Sequence, residues 1–374
     1  MTNLNIQGNT DPHFAKLKDA LAANFADGLE HGAAVAVMVD GKLVVDLWAG
    51  HADKAKTKPW QRDTIANVWS STKGVVAAAV AMLVEQGKLH YDTPIADVWP
   101  EFATQGKEHI TLDQTMSHTS GVNGLNTPLT AEQLYQWSPY VDALAAAKPN
   151  WQPGTDCAYH ALSYGHLAGE PIRRVTGMSV GQYITEYIAK PLRVEFFVGL
   201  PDAQDHRVAE MIEGAGASGW VDEVLASPYP QACMNPTPVA TAPNERAWRA
   251  AEIPGGNGHC DARSLATIYG DIAGAKSKLL SIQSRDEAVR PRFRGLDRSF
   301  NLQTAYGAGF RIEDEMYGKR ASQKTFGHSG WGGTTAFGDP AARLGFAYVT
   351  NNMLGFDTLD PRRERLIEAV YDAL

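Results

Sequence analysis

A serine followed three residues later by a lysine, Ser70-Ser71-Thr72-Lys73, stands where a strand-like segment runs into a long apolar helix. On a helix, positions i and i+3 share a face, so the Ser70 hydroxyl and Lys73 amine come within hydrogen-bond reach. A serine is a weak nucleophile until a neighbouring base takes its proton, and a partly desolvated lysine can be that base. The bare pattern is weak, since about one chance copy is expected in a chain of this size. It occurs once here, and its surroundings make it informative.

Two further segments could complete the chemistry. After Trp151-Gln152-Pro153-Gly154-Thr155 comes Tyr159-His160-Ala161, then a helical pattern from Leu162 to Val175. A tyrosine just after a tight turn, opening a helix, could aim its phenol into a cleft. A nearby lysine cation would ease formation of the phenolate, so Tyr159 could accept the Ser70 proton and pass it to a leaving group. Near the other end lies Gly327-His328-Ser329-Gly330-Trp331-Gly332-Gly333-Thr334. Glycine inside a strand weakens it and often marks the close approach of a ligand or another backbone. A strand edge there could offer the backbone N–H of Trp331 opposite that of Ser70. Two such donors form an oxyanion hole, worth about 10²–10³ in rate for each donor.

Taken together, these segments resemble the serine β-lactamase and penicillin-binding superfamily. The pattern is most similar to class C β-lactamases and the family VIII carboxylesterases. It runs from the hairpin at 33–48 through Ser70-x-x-Lys73, Ser117-His118-Thr119-Ser120-Gly121 and Pro153-Gly154-Thr155…Tyr159 to His328-Ser329-Gly330. The resemblance implies an α/β fold of the β-lactamase/transpeptidase type, an antiparallel sheet flanked by helices with an inserted helical domain. By the same carry-over Ser70 is the acylated nucleophile, Lys73 its base partner and Tyr159 the proton-relaying phenol. The amides of Ser70 and Trp331 become the oxyanion hole, and His328, Ser329, Gly330 and Trp331 contact substrate.

Two positions depart from the lactamase pattern. Its tyrosine motif ends in Asn where this chain has Ala161, and its late motif begins with Lys where this chain has His328. Histidine is mostly neutral near pH 7 and holds an anion less well than lysine. Both changes remove β-lactam recognition and leave the acyl-transfer groups, while Trp331-Gly332-Gly333 matches the Trp-x-Gly common in family VIII esterases. The implied activity is therefore hydrolysis of small-acyl esters through an acyl-enzyme, without metal or organic cofactor. The alternatives on this fold are a β-lactamase or D-Ala-peptidase, a nylon-oligomer-type amidase, an acyltransferase, or a non-catalytic penicillin-binding-like module.

The elements that must position these groups are readable in part. Asp11 to Asn24 predicts an amphipathic helix capped by Asp11 with Pro12 in its first turn. Residues 33–39 and 42–48 are β-rich runs joined by Asp40-Gly41, a strong hairpin signal because both turn residues take positive φ. Residues 71–86 predict a helix apolar almost all round, buried between layers and stopped by Gly87. From 88 to 300, helical segments alternate with Pro/Gly-rich loops, among them the long irregular stretch 227–260. Strands return at Thr325 to Phe337 and Leu344 to Thr350, joined through Asp339-Pro340, with a last helix after Pro361. This predicts an α/β domain of residues 1–87 and 301–374 and a mainly helical inserted domain of 88–300.

Composition bounds the rest. The chain has 374 residues, 44% hydrophobic, enough for a large core. A net charge of −8 gives no electrostatic reason to seek nucleic acid or anionic membrane. Cys157, Cys233 and Cys260 lack metal or redox spacing and suit buried thiols in a reducing compartment. The polar start, Met1-Thr2-Asn3-Leu4-Asn5, shows no secretory pattern, and a cytoplasmic protein is expected. Gly177-Met178-Ser179-Val180-Gly181 matches Gly-x-Ser-x-Gly, but a helix precedes it where a strand is required. Gly177 reads as a helix stop, and Ser179 with Gln182 as a capping box for 180–188. His160 and His166 do not match zinc-ligand spacing, and His118 suits local turn bonding. Trp69, Trp137, Trp151, Trp220 and Trp248 read mostly as core, with some available to wall an acyl pocket.

Overall fold

The computed structural model describes residues 4–355 and 359–374, so the first three residues of the polar N-terminal stretch lie outside it. Asp40 and Gly41 both take positive φ, 50° and 72°, and fold Gly32–Val39 back on Lys42–Gly50. This hairpin seeds a nine-stranded sheet whose paired neighbours are all antiparallel. Across the sheet the strands run Gln7–Thr10, Lys42–Gly50, Gly32–Val39, Leu344–Thr350, Thr335–Asp339, Phe326–Ser329, Arg311–Ile312, Leu302–Tyr306 and Phe293–Asp297.

The central strands are apolar on both faces because helices cover both. Ala33, Val35 and Val37 join a core shared with the Lys16–Ala26 and Pro361–Ala373 helices. Ala34, Ala36 and Met38 face the Ala262–Ala273 helix and the larger core beyond it. That helix lies so close that a Cβ on Gly345 would sit 2.3 Å from Gly270 N. Two elements from before residue 301, this helix and the strand Phe293–Asp297, thus belong to the sheet layer.

Thr72–Glu85 is helical, and every residue from Thr72 to Leu83 is buried, Lys73 included. Gly87 ends it with φ 68°. Asp11 caps a short 3-10 turn, Pro12–Phe14, before the first α-helix begins at Lys16. One expected element is corrected. Thr325 to Phe337 is not one strand but two, Phe326–Ser329 and Thr335–Asp339, paired Ser329 to Thr335 across a turn. Gly332 and Gly333 have φ of 86° and 123°, so the glycine-dense stretch makes a tight turn in place of a strand interior.

Candidate active site

The backbone ahead of Ser70 is fixed from two sides. Ala66–Asn67 pairs with His259–Cys260, and the Val68 N–H donates to the Gly258 carbonyl at 2.8 Å. Trp69 then takes φ 46°, a conformation costing a non-glycine residue about 1–3 kcal/mol. Its indole packs between Trp248 and Trp331, with centroids 5.3 and 4.7 Å away. The sharp bend sets Ser70 at the mouth of the buried helix. From the other side, Ser71 Oγ donates to the His328 carbonyl at 3.2 Å, and a Cβ on Gly330 would lie 2.2 Å from Val68 O. Only glycine lets the strand Phe326–Ser329 come this near.

Lys73 Nζ lies 2.9 Å from Ser70 Oγ, 2.7 Å from the Ala161 carbonyl and 2.6 Å from the Gly255 carbonyl. Burial holds the amine well below the usual lysine range. A neutral amine has two N–H groups, and the two carbonyls take both. Its lone pair is left for the Ser70 hydroxyl proton. In this arrangement a neutral amine can accept the serine proton, and the two carbonyls fix its direction.

Tyr159 precedes the helix Ser163–Thr176, with its ring centroid 4.8 Å from Lys73 Nζ. Its backbone N–H donates to Asp297 at 3.2 Å, and that carboxylate also accepts from the Tyr306 hydroxyl at 2.9 Å. Burial raises the phenol's pKa, and its hydrogen bond with Ser70 partly opposes the rise. Burial thus disfavours both the ammonium and the phenolate.

His118 and His160 buttress this segment. The His160 N–H donates to His118 Nδ1 at 3.1 Å, Ser120 Oγ bonds His160 Nε2 at 2.7 Å, and His160 Nδ1 bonds the Ala158 carbonyl at 2.8 Å. With Nδ1–H donating to that carbonyl, Nε2 accepts from Ser120. Burial takes His160 down to about 3, so it stays neutral. The His118 ring lies 4.9 Å from the Tyr159 ring, tilted by 47° to it, a role closer to the site than turn bonding alone. His166 instead packs between Trp137 and Tyr140.

His328, Ser329, Gly330 and Trp331 line the same cavity as Ser70 and Tyr159, of about 150 Å³. His328 bonds the Ser329 carbonyl through Nδ1 at 2.7 Å, and burial holds it well below the ordinary histidine value. It is a neutral wall and not a cationic anchor. Trp331 stands in the turn, and its indole N–H donates to the Ala217 carbonyl at 2.5 Å. Among the described residues, neither the Ser70 nor the Trp331 backbone N–H makes a hydrogen bond to a protein acceptor. Both are available to a ligand in the cavity.

Two cavity groups, Phe300 and Arg311, escape sequence reasoning. Phe300 and Arg311 also line the cavity, and the latter pairs with Asp314 at 2.6 Å. Trp220 lines it too, its ring 5.2 Å from Trp331 and roughly perpendicular. Ser179, by contrast, caps the helix Val180–Ile184 in a complete capping box and donates to Glu252. Its hydroxyl is spent. All three cysteines are free and buried, with Cys233 pushed up to about 12 by burial.

The amine's depressed pKa has a measurable consequence. Base catalysis requires the neutral form, so acylation of Ser70 should rise with pH through the Lys73 pKa, far below the lysine norm. Fluorophosphonate labelling rates measured from about pH 5 to about pH 10 are expected to reach their plateau well below the pKa of a free lysine, about 10.4. An acid limb centred near about 10.4, the value of a free lysine, would contradict the assignment.

Comparison with known proteins places this geometry in context. The family model described as Beta-lactamase matches residues 21–370. The chain is 33% identical over 365 residues to the esterase/beta-lactamase LipL of Mycobacterium tuberculosis, covering 93% of this chain and 83% of that one. The crystal structure of a family VIII carboxylesterase superposes with TM-score 0.92 at 40% identity, over 99% of this chain and all (100%) of the other. A penicillin-binding protein homolog from Caulobacter crescentus superposes with TM-score 0.89 at 36% identity, over 99% and 100% of the two chains.

Proposed function

The chain belongs to the beta-lactamase family, and from that premise we propose that it is a serine carboxylesterase acting on short-acyl esters. One observation carries the reading: Lys73 Nζ, held by the Ala161 and Gly255 carbonyls, stands 2.9 Å from Ser70 Oγ. Ser70 attacks the ester carbonyl as its proton passes to Lys73. The amides of Ser70 and Trp331 hold the oxyanion. Collapse of the tetrahedral intermediate expels the alkoxide, which takes the Tyr159 proton, and the Lys73 ammonium reprotonates the phenol. Water then attacks the acyl-enzyme, giving its proton to the same pair, and Ser70 and the acid are released. This scheme calls on no metal or organic cofactor.

Cavity size supports the short acyl group. About 150 Å³ walled by Trp220, Phe300 and Trp331 falls well below the ~300–1,000 Å³ of drug-sized pockets. The neutral His328 and the methyl side chain of Ala161 offer no cation and no amide to a β-lactam. A reducing, cytoplasmic setting belongs to the same reading, supported by the three unpaired thiols. Among the described residues no helix is long and apolar enough to cross a membrane.

The test is a screen of p-nitrophenyl esters of increasing acyl length beside nitrocefin. Acetate and butyrate should turn over fastest, with kcat/KM falling at least about tenfold by the octanoate, since the walled cavity is too small to bury the longer chain. Nitrocefin turnover equal to that of the best ester would move the assignment to a β-lactamase, and saturable transfer to an added alcohol would move it to an acyltransferase.

A further inference from the structure

Behind the Trp331 turn lies a fully buried arginine that the reaction scheme does not use. Arg362 is the second residue of the Pro361–Ala373 helix and is 0% exposed. Its guanidinium bonds the Asp360 carboxylate at 2.7 Å, the Asn352 carbonyl at 2.7 Å and the Gly332 carbonyl at 2.7 Å. Glu30, also buried, stands 3.9 Å away and accepts from Thr350 Oγ1 at 2.8 Å and from the Tyr348 hydroxyl. Burying so much charge at the root of one short turn is costly unless every group is held.

The connection to the site runs through two peptide units in series. Arg362 Nη2 donates to the Gly332 carbonyl. The same peptide carries the Gly333 N–H, which donates to the Gly330 carbonyl at 3.3 Å. That second peptide carries the N–H of Trp331. Fixing the first carbonyl therefore fixes the plane of the amide that faces the cavity, and hydrogen bonds in such a chain polarise one another. No side chain fits between arginine and turn, since a Cβ on Gly333 would lie 2.3 Å from Arg362 Nη2 and 2.8 Å from Asp360 Oδ2. The turn's backbone rests directly on the guanidinium.

We propose that Arg362 is a positioning residue, orienting the Trp331 N–H as an oxyanion donor through the Gly332 and Gly330 carbonyls. The inference rests on the esterase reading given above, in which that N–H holds the oxyanion. An oxyanion donor acts on the transition state and not on the bound ester, so misdirecting it lowers kcat and leaves KM in place.

The experiment compares Arg362→Lys and Arg362→Met with the unaltered enzyme and Ser70→Ala. Active sites are titrated to completion with a fluorophosphonate, and kcat on p-nitrophenyl acetate is expressed per titrated site. Arg362→Met should lose about 10²-fold in kcat per site with KM within about twofold, bounded by the worth of one oxyanion donor. Arg362→Lys, which keeps the charge and one bond to Gly332, should recover part of that loss. A merely structural arginine would reduce the titratable fraction while kcat per site stays unaltered, and this result overturns the proposal. Should neither variant fold, Asp360→Asn, which loosens the guanidinium without removing it, is read by the same kcat per site. Full activity of Ser70→Ala would instead overturn the esterase reading itself, whatever the arginine variants do.

Discussion

Ser70→Ala is expected to abolish ester turnover, with kcat on p-nitrophenyl acetate falling by about 10⁴–10⁶-fold, the range seen when the nucleophile of a cooperative serine site is removed. The lost oxygen faces the cavity and Lys73, so the substitution leaves the packing of the helix Thr72–Glu85 undisturbed. Tm should stay within a few degrees of the unaltered protein, and fluorophosphonate labelling should vanish. These readouts separate loss of chemistry from loss of fold. Activity surviving in this variant at a tenth of its normal level would require another nucleophile, and the whole assignment would fall.

Lys73→Met should be nearly as damaging, by about 10⁴-fold in kcat, because it takes away the amine 2.9 Å from Ser70 Oγ that the proposed scheme uses as base. Methionine follows the lysine stem through the same buried channel, so the fold is retained. The Ala161 and Gly255 carbonyls lose their donor, which costs about 1–3 kcal/mol for each buried group left unpaired. Lower Tm is therefore expected here and not in Ser70→Ala. Lys73→Arg should be equally inactive, since a guanidinium with a pKa above about 12 cannot accept the serine proton. If serine and lysine act as a unit, the double variant Ser70→Ala/Lys73→Met should be no slower than Ser70→Ala alone. If Lys73→Met kept more than about a tenth of the rate, Tyr159 would be the base and the amine only its electrostatic support.

Much of this arrangement is legible in the chain because it follows from local rules. Asp40-Gly41 demands two positive φ values, and the hairpin forms there. The apolar run after Ser70 has no polar stripe, and the helix is buried all round. Ser179 shows the same logic in reverse, a hydrolase-like pentapeptide whose serine is a helix cap. The Gly330–Thr334 stretch was misleading because glycine alternation resembles a strand until the sign of φ is known. What local rules could not supply is tertiary. The two carbonyls that orient Lys73 belong to Ala161 and Gly255, residue types that carry no chemical signal. Phe300 reaches the cavity from a turn and Trp220 from the helix Gly219–Ala226, and where each arrives depends on the whole fold. Arg362 reads as an ordinary helix-start residue until its contacts are seen.

The strand order has a consequence for how the molecule comes into being. Leu344–Thr350 lies in the middle of the sheet, bonded to Gly32–Val39, and Thr350 Oγ1 reaches the Gly32 carbonyl across 318 positions of sequence. As the polypeptide leaves the ribosome, the early hairpin waits with one edge bare until its partner is translated and free of the exit tunnel. Closing a loop of that length delays assembly more than it weakens the finished product. Nascent chains halted before the late strand should thus bind neither probe nor substrate, and a chaperone that shields strand edges would find its client in that interval.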